Sequence, residues 1–333
     1  MAEFRLLGSH FKNASLSDLE SIFLRPDEIQ TILTKIPSNV FLDGVVVLNT
    51  CNRVEWYIAS DRPEKVREWI VSILSCVKGI SLQSISKLMP LYSEKESIRH
   101  LFSVASGLES LVLGESEILS QIKAAYQQSQ ENRTACKLIH KYFQSAIAAG
   151  KRVRAESGIS QGSLSISSIA IEAIREKVLD YYSRKFLVVG AGDMAKKAIK
   201  KLCALGIPDI TITNRTNSKA VELAETYKIS ARSFEEFPLA YPNYDILIFA
   251  TSASSPLLRD NHARWPTGSK CIVDIGMPRN VCLAEAITVE KLKETAEKSI
   301  VKRRGQITIV QDLLNLELNR LYQWIDCQAV TSS

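Results

Sequence analysis

The sequence predicts an α/β protein of several domains: an N-terminal α+β domain with helices, a doubly wound parallel sheet, and a helical segment after it. Its 333 residues exceed what one ordinary hydrophobic core holds. From residue 185 strand-like and helix-like runs alternate, which is typical of βαβ units and a parallel sheet. Residues 94–154 carry apolar side chains at spacings of three and four, which predicts a run of helices.

Composition restricts the classes of protein to consider. Lysine and arginine exceed aspartate and glutamate by 42 − 36 = 6, a balance that permits an anionic partner without requiring one. The seven cysteines show no Cys-x-x-Cys spacing, so we expect reduced thiols, a cytoplasmic location and no metal site. There is no signal-peptide pattern and no apolar run of membrane-spanning length, so we expect no membrane association.

In the N-terminal domain, one cysteine lies between two predicted strands. The apolar run at 44–48 and the aromatic and β-branched run at 55–59 both favour strands, with Cys51 on the short connection. Backbone N–H groups and Arg53 are expected to favour a thiolate there. The alternative interpretation is a buried cysteine near the end of a strand. A helix is predicted for residues 63–78, where apolar residues recur at three and four.

The next part of the chain is predicted to be helical, in segments that begin at Glu94, at 115–130 and at 135–154, with a break at Gly107. The third helix has a basic face, formed by Lys137, Lys141, Lys151, Arg152 and Arg154. A stripe of this kind is usually a solvated surface.

Two further segments set the predicted domain limits. The small, polar stretch at 158–163 is interpreted as a connection, which gives domains at 1–156, 157–287 and 288–333. The last segment, 309–325, is apolar on one side, and it either docks on its own domain or pairs with a second subunit.

A nucleotide-binding turn follows the first strand of the second domain. The strand at 186–189 runs into a Gly-x-Gly-x-x-Ala motif that opens a helix, as Rossmann-like dinucleotide binding requires. Gly190 allows the tight turn, Gly192 admits the phosphates, and Ala195 lets helix and strand pack closely. The remaining residues of the predicted cofactor site in this turn are Ala191, Asp193 and Met194.

The end of the next strand indicates which cofactor binds. An NAD site places an acidic residue there, whereas this chain has Asn214, Arg215 and Thr216. A guanidinium pairs well with a 2′-phosphate, so NADPH is the predicted cofactor. A hydride cofactor and a loop thiol in one chain indicate chemistry in which cysteine holds an acyl group while hydride reduces it.

These residues resemble the glutamyl-tRNA reductase family, in both the order and the spacing of its motifs over about residues 40 to 285. Four runs carry the resemblance: residues 49–55, 99–102, 107–121, and 190–194 taken with 214–216. The resemblance implies a three-domain enzyme that reduces glutamyl-tRNA to glutamate-1-semialdehyde with NADPH, the first committed step of tetrapyrrole synthesis. It also implies a homodimer and handover of the product to glutamate-1-semialdehyde aminomutase.

Site residues carry over from the family by position. The resemblance makes Cys51 the nucleophile that forms a glutamyl thioester, and it makes His100 a histidine important for activity. This histidine would either protonate the departing ribose oxygen or shape the surroundings of the thiolate. Within it, Arg53 pairs with the substrate's γ-carboxylate, and Glu115 or Glu117 holds its α-ammonium. The family's substrate-binding positions are Thr50, Asn52, Arg53, Ser110, Glu115, Ser116, Glu117 and Gln121.

Local sequence alone leaves other interpretations of these residues open. His100 also fits a core histidine, and Glu115 and Glu117 fit acidic residues at a helix N-terminus. The sequence departs from the family in having Glu117 where glutamine is usual, Ala195 for glycine, and Asn280 where a Pro-Arg-Asp run ends. Its tail is also shorter than the family's dimerisation domain.

Two other functions fit part of the sequence. One is an NADP-dependent dehydrogenase of a small metabolite, similar to shikimate dehydrogenase, which leaves the runs around Cys51 and at 107–121 unexplained. The other is a non-catalytic NADPH-binding regulator, against which an intact Cys51 argues. For the reductase, the basic clusters at 137–154 and 291–304 are expected to contact the tRNA backbone.

Overall fold

A computed structural model of the chain describes residues 2–115, 117–159, 165–259, 271–292 and 304–331. These form two compact units, the first drawn from Met1–Ser163 and Ser299–Ser333, the second from Leu164–Lys298. The predicted domain limits at 156 and 287 stay predictions.

The first unit is built on an antiparallel three-stranded sheet. Its strands are β1 (Glu3–His10), β2 (Gly44–Thr50) and β3 (Arg53–Ser60), in the order β1-β3-β2. The predicted strands at 44–48 and 55–59 are confirmed as β2 and β3.

Helices cover both faces of this sheet, because successive side chains of a strand point to opposite sides. Trp56 and Ile58 pack among the first four helices, whereas Tyr57 and Ala59 pack among the later ones. The helices of this unit are α1 (Leu16–Ile22), α2 (Pro26–Thr34), α3 (Pro63–Lys78), α4 (Leu82–Leu88), α5 (Glu94–Ser106), α6 (Glu117–Glu131) and α7 (Lys137–Ser157).

The last described helix, α12 (Arg304–Thr331), packs against α5 and α7 of the first unit. Its apolar stripe, which includes Leu314 and Leu318, is buried in the core of that unit. Of the two alternatives for the tail, the structure therefore shows docking on its own chain, while dimerisation stays a prediction.

The second unit contains a parallel six-stranded sheet in the order β11-β9-β7-β4-β5-β6. The chain starts in the middle at β4 and winds outward in both directions, which is the doubly wound arrangement predicted from the alternating runs. The strands of the unit are β4 (Phe186–Val189), β5 (Ile210–Asn214), β6 (Ser230–Ser233), β7 (Ile246–Phe249), β8 (Leu258–Arg259), β9 (Cys271–Asp274), β10 (Val281–Cys282) and β11 (Ile287–Thr288).

Its helices are α8 (Ile166–Lys177), α9 (Asp193–Ala204), α10 (Asn217–Tyr227) and the short α11 (Phe237–Ala240). Side chains of β4 are fully buried along its whole length, as expected for the central strand of a parallel sheet covered on both faces. Within the described ranges no single helix has the length and hydropathy to cross a bilayer. One bent pair of helices meets the criteria of length and composition only when its members, Pro63–Lys78 and Leu82–Leu88, are taken together.

Candidate active site

Cys51 occupies the turn of a tight hairpin. The last strand pair joins Thr50 to Arg53, so Cys51 and Asn52 are the two residues between strands β2 and β3. The Thr50 hydroxyl accepts a hydrogen bond from the backbone N–H of Asn52 at 3.2 Å. The backbone N–H of Phe11, just beyond β1, donates to the Asn52 carbonyl at 2.9 Å. The predicted connection between two strands is thus confirmed, and it is anchored from two sides.

The Cys51 thiol is held in its protonated form. Cys51 is partly buried, and desolvation, followed by the carboxylates of Glu115 and Glu117, raises its pKa from 9.0 to about 12, whereas Arg53 acts in the opposite direction. The prediction of a favoured thiolate is therefore wrong for the protein alone. Its two causes, Arg53 and backbone N–H groups, do lower the pKa, but desolvation and two carboxylates outweigh them.

Arg53 belongs to a buried ionic network centred on Glu55. Its Nη1 lies 2.7 Å from Oε1 of Glu55, and its Nη2 donates to the carbonyl of Glu109. His100 Nε2 also lies 2.8 Å from Oε1 of Glu55, and the Tyr57 hydroxyl donates to Oε2 at 2.8 Å.

The side chains of Arg53 and Glu55 are 1% and 0% exposed. Burial on its own would raise the pKa of Glu55, but the charges of Arg53 and His100 and hydrogen bonds from His100 and Tyr57 lower it to about 2. The carboxylate is therefore ionised throughout the ordinary pH range.

A second histidine lies against the first. The rings of His10 and His100 stack with centroids 5.0 Å apart, and the His10 backbone pairs with Arg53 across strands β1 and β3. Burial lowers the pKa of His10 to about 4, and the neighbouring His100 lowers it as well. His10 is therefore neutral near pH 7.

The loop from Gly107 to Glu115 brings further predicted site residues to this unit. Gly107 ends α5, and its carbonyl accepts from the N–H of Gly114 at 3.1 Å. A Cβ on Gly114, whose φ is +75°, would lie 2.3 Å from the carbonyl oxygen of Ile159, so only glycine fits. Ser110 in this loop is buried.

Arg154 fastens the end of this loop. From helix α7 its Nη1 donates to the carbonyl of Ala105 at 2.6 Å, and its Nη2 donates to the carbonyl of Glu115 at 3.1 Å. Burial lowers the pKa of Arg154 to about 10. Glu117 begins helix α6 and Gln121 lies one turn further, whereas Ser116 lies outside the described residues.

Several buried polar atoms of the first unit have no hydrogen-bond partner among the described residues, Nε1 of Trp56 and Oγ of Ser106 among them. Three of these atoms are Oδ1 of Asn52, Nε of Arg53 and Oγ of Ser110. All three belong to residues predicted to bind substrate. Buried polar atoms of native proteins are nearly always paired, so these are positions at which a polar ligand would supply the missing bonds.

The predicted basic face of α7 is largely occupied within the chain. Arg152 pairs with Glu156 at 2.8 Å and with Glu317 of α12 at 2.6 Å, and the Lys141 ammonium lies 4.5 Å from the ring centroid of Trp324. Arg154 is half-buried and bonded to backbone carbonyls, so the exposed basic residues of the predicted stripe are Lys137 and Lys151.

In the second unit, the nucleotide-binding turn has the predicted geometry. Gly190 follows β4 with a φ of +120°, and a Cβ there would lie 2.3 Å from the carbonyl of Ala250. Gly192 is the N-cap residue of α9, and no side-chain hydrogen bond caps the helix there. A Cβ on Gly192 would meet nothing within 4 Å. The first N–H groups of α9 therefore face open space at the carboxyl end of a central strand, which suits a pyrophosphate.

The other residues of this turn support the helix. Ala195 is fully buried, the Met194 carbonyl accepts from Ser167 Oγ at 3.1 Å, and the Asp193 carboxylate is 82% exposed. Ala191 is half-buried in the turn between β4 and α9.

Beside this turn, β5 ends at Asn214, whose Nδ2 donates to the Thr216 carbonyl at 2.9 Å. Arg215 and Thr216 are exposed, and Arg215 makes no ion pair with another described residue. These residues fit a 2′-phosphorylated dinucleotide, because no carboxylate of the described residues pairs with the guanidinium, which follows the strand beside the phosphate-binding turn.

The loops after β7 and β9 lock together at the same edge of the sheet. Asp274 accepts backbone N–H groups of Asn280 and Val281 at 2.7 and 2.8 Å. The Asn280 side chain accepts from the hydroxyl of Thr251 at 2.9 Å and donates to the Pro278 carbonyl at 2.9 Å. An aspartate at 280 would be unable to make the second of these bonds, so the departure from the family run has a local partner.

Comparison with known proteins agrees with this arrangement. The family model for the glutamyl-tRNAGlu reductase N-terminal domain matches residues 7–157, and the model for shikimate / quinate 5-dehydrogenase matches residues 172–295. A glutamyl-tRNA reductase of Crocosphaera subtropica is 32% identical over 96% of this chain and 77% of its own length. The chain belongs to the glutamyl-tRNA reductase family.

Other relatives extend the match. The glutamyl-tRNA reductase of Sulfurihydrogenibium sp. is 30% identical over 97% of this chain and 76% of its own length. The solved glutamyl-tRNA reductase of Methanopyrus kandleri matches with 31% identity and a TM-score of 0.55, over 98% of this chain and 82% of that one. The predicted family resemblance and fold class are confirmed, and the second unit is a nicotinamide-cofactor-binding domain.

Sequence reasoning missed several residues that shape this reductase site. Glu55, His10 and Arg154 were not singled out, although Glu55 ends the 49–55 run and Arg154 lies on the predicted basic face. The sequence did contain one indication of the ion pair. Glu55 lies two residues after Arg53 on a predicted strand, and residues two apart point to the same face.

Proposed function

We propose that this chain reduces the glutamyl group of glutamyl-tRNA to glutamate-1-semialdehyde, with NADPH and through a thioester at Cys51, as the first committed step of tetrapyrrole synthesis. Membership of the reductase family carries the reaction. The observation that supports the site is the Cys51 turn, next to three partnerless polar atoms on residues at the family's substrate-binding positions.

The reaction divides into two steps at one sulfur atom. In the first, Sγ of Cys51 bonds to the glutamyl carbonyl carbon, the carbon–oxygen bond to the ribose breaks, and the thiol proton ends on the ribose oxygen. When bound, NADPH supplies the hydride that reduces the thioester carbonyl. The aldehyde then forms as the Cys51 thiolate leaves and regains a proton, which restores the thiol.

Substrate charge accounts for the polar groups of the site. Glu115 and Glu117 hold the α-ammonium of the glutamyl group, and this neutralises the two carboxylates that raise the pKa of Cys51. Arg53 meets the γ-carboxylate through Nε, the guanidinium nitrogen without a described partner. Thr50, Asn52, Ser110, Ser116 and Gln121 complete the substrate contacts.

An assay with a matched cysteine variant tests the reaction. The chain is incubated with NADPH and either glutamyl-tRNA or free glutamate, and semialdehyde is measured. Wild type and Cys76→Ser, an exposed cysteine of the same unit, are expected to form product from glutamyl-tRNA alone, and Cys51→Ser to form none. Product from free glutamate, or full activity of Cys51→Ser, would falsify the thioester mechanism.

NADPH is preferred to NADH in this proposal because of Arg215. Removing the guanidinium takes away a charge-assisted contact with the 2′-phosphate, so Arg215→Ala is expected to weaken NADPH binding by roughly tenfold or more and to leave NADH unchanged. Fluorescence titration of both cofactors measures this, and an equal loss for both would contradict the assignment.

The alternative, a dehydrogenase of a small metabolite, is not favoured. The shikimate / quinate 5-dehydrogenase match stops at the second unit, and the match at 7–157 has no role in that function.

We further propose a homodimer, supported by Ile309 and Leu316, which remain 47% and 52% exposed on the outer side of α12. Sizing the chain with and without residues 306–333 tests this, and a monomer in both cases would count against it. Transfer of the aldehyde to a glutamate-1-semialdehyde aminomutase is proposed from the family resemblance.

A further inference from the structure

We propose that Glu55 is a positioning residue of this reaction: it holds His100 with a proton on Nε2 and thereby makes Nδ1 the atom that transfers protons. The chemistry of this inference rests on the proposed function, whereas the assignment of the histidine tautomer rests on the geometry alone.

Hydrogen bonding at Glu55 fixes the orientation of the imidazole. Oε1 receives both Arg53 Nη1 at 2.7 Å and His100 Nε2 at 2.8 Å, while Oε2 receives the Tyr57 hydroxyl at 2.8 Å. An ionised carboxylate only accepts hydrogen bonds, so Nε2 of His100 must be the donor. In a neutral ring this leaves the lone pair on Nδ1.

The surroundings keep Glu55 ionised and in place. Its side chain is fully buried on the central strand β3, and the pKa near 2 excludes protonation of the carboxyl at working pH. Arg53 is fixed in turn by the carbonyl of Glu109, so neither partner is free to rotate away.

His10 closes the other side of the His100 ring. It is stacked at 5.0 Å and neutral near pH 7, because burial and His100 lower its pKa to about 4. The Nδ1 of His10 accepts from the backbone N–H of Lys12 at 3.4 Å, and Lys12 itself pairs with the Glu109 carboxylate at 2.6 Å. The charged groups that act on His10 thus include Glu55, Arg53 and Glu109, and Glu55 is also bonded to His100.

The proton balance of thioester formation requires a proton carrier, and we assign this role to Nδ1 of His100. When Sγ of Cys51 bonds to the glutamyl carbon and the ribose oxygen departs, one proton passes from the thiol to that oxygen. His100 carries it on Nδ1, and the imidazolium formed in between is stabilised by the Glu55 carboxylate on the opposite nitrogen.

The tautomer is measured directly in the full chain by ¹⁵N NMR of labelled histidine. Only four histidines are present, so single His→Gln variants assign the signals. Wild type is expected to show His100 with the proton on Nε2, and Glu55→Gln to show this preference lost. A proton on Nδ1 in neutral wild type would overturn the proposal, whether or not Glu55→Gln folds.

Kinetics supply the second measurement. Thioester formation is followed in a single turnover, without NADPH, from pH 6 to 9. Glu55→Gln is expected to be slowed about 10²-fold, with altered pH dependence and unchanged affinity for glutamyl-tRNA. The matched control is Glu28→Gln, which also breaks a half-buried ion pair, to Lys78 at 2.7 Å, between helices α2 and α3.

The outcomes separate the two proposals. No thioester in wild type would reject the proposed function, while the tautomer would still decide the role of Glu55. If wild type forms the thioester, two results would reject the positioning role alone. One is equal slowing of Glu55→Gln and Glu28→Gln, and the other is no slowing of Glu55→Gln.

Discussion

Arg154→Met is expected to loosen the loop from Gly107 to Glu115 more than a substitution of any exposed residue in the same unit. Arg154 ties the end of α5 to Glu115 through carbonyls at 2.6 and 3.1 Å. Methionine keeps the apolar stem but loses both of these bonds and a third, to the carbonyl of Gly150 in the same helix. Each bond from a charged donor is worth about 1.5–3 kcal/mol, and relief of the buried charge offsets part of this. A net loss of about 2–4 kcal/mol follows, which lowers the Tm by roughly 5–15 °C.

The same variant is expected to raise the KM for glutamyl-tRNA. Each residue of the Glu115 segment that regains backbone freedom adds about 1–2 kcal/mol of ordering cost on binding, or about five- to thirtyfold in KM. Thermal unfolding and steady-state reduction with varied glutamyl-tRNA measure the two effects.

The matched control is Arg67→Met, which removes comparable bonds, at 2.8 Å, to the carbonyls of Met89 and Ser86 on another part of the unit. It is expected to lower the Tm and leave the KM unchanged. A rise in KM for both variants, or for neither, would refute the idea that Arg154 acts through the loop.

Two further changes test the thiol and the last helix. Glu117→Gln removes a carboxylate that raises the pKa of Cys51, so alkylation of the thiol between pH 7 and 10 is expected to become faster at every pH; an unchanged rate would show that burial alone sets this pKa. Leu318→Ala empties a buried position of α12 and is expected to cost about 3 kcal/mol, or roughly 6–12 °C in the melting of the first unit, whereas Leu316→Ala, 52% exposed, leaves it nearly unchanged. Equal effects of the two leucine variants would contradict the docking of α12.

Periodicity was sufficient to predict most of the fold, because long helices and central strands show it clearly. Helix α3 has the predicted bounds, the predicted strand at 186–189 is β4, and the next predicted strand, which ends before Arg215, is β5. Strand β1 was not predicted. Leu6 and Leu7 are adjacent in β1 and are buried on opposite faces of a sheet that is covered on both sides. The strand therefore lacks the alternation of apolar and polar residues by which a strand is recognised in sequence.

The site was less accessible to sequence reasoning, because its decisive contacts join distant residues. The motifs indicated Cys51 and Arg53, but the bond between His100 and Glu55 spans 45 positions, and that between Arg154 and Glu115 spans 39. Burial of the thiol, which reverses the expected direction of its pKa, follows only from packing.

The protonated thiol is consistent with a nucleophile that acts on one substrate. Thiolates, and not thiols, react with oxidants and small electrophiles, so a pKa near 12 keeps Cys51 unreactive while the protein is alone. Desolvation and, after it, the carboxylates of Glu115 and Glu117 maintain this state, and in the proposed function the two carboxylates are also the groups that attract the α-ammonium. Binding of the correct substrate would then neutralise the part of the pKa shift that the carboxylates cause. An uncharged amide at 117 would weaken both effects together, so this chain, with its second carboxylate, couples thiol reactivity to the ammonium group more strongly than a glutamine there would.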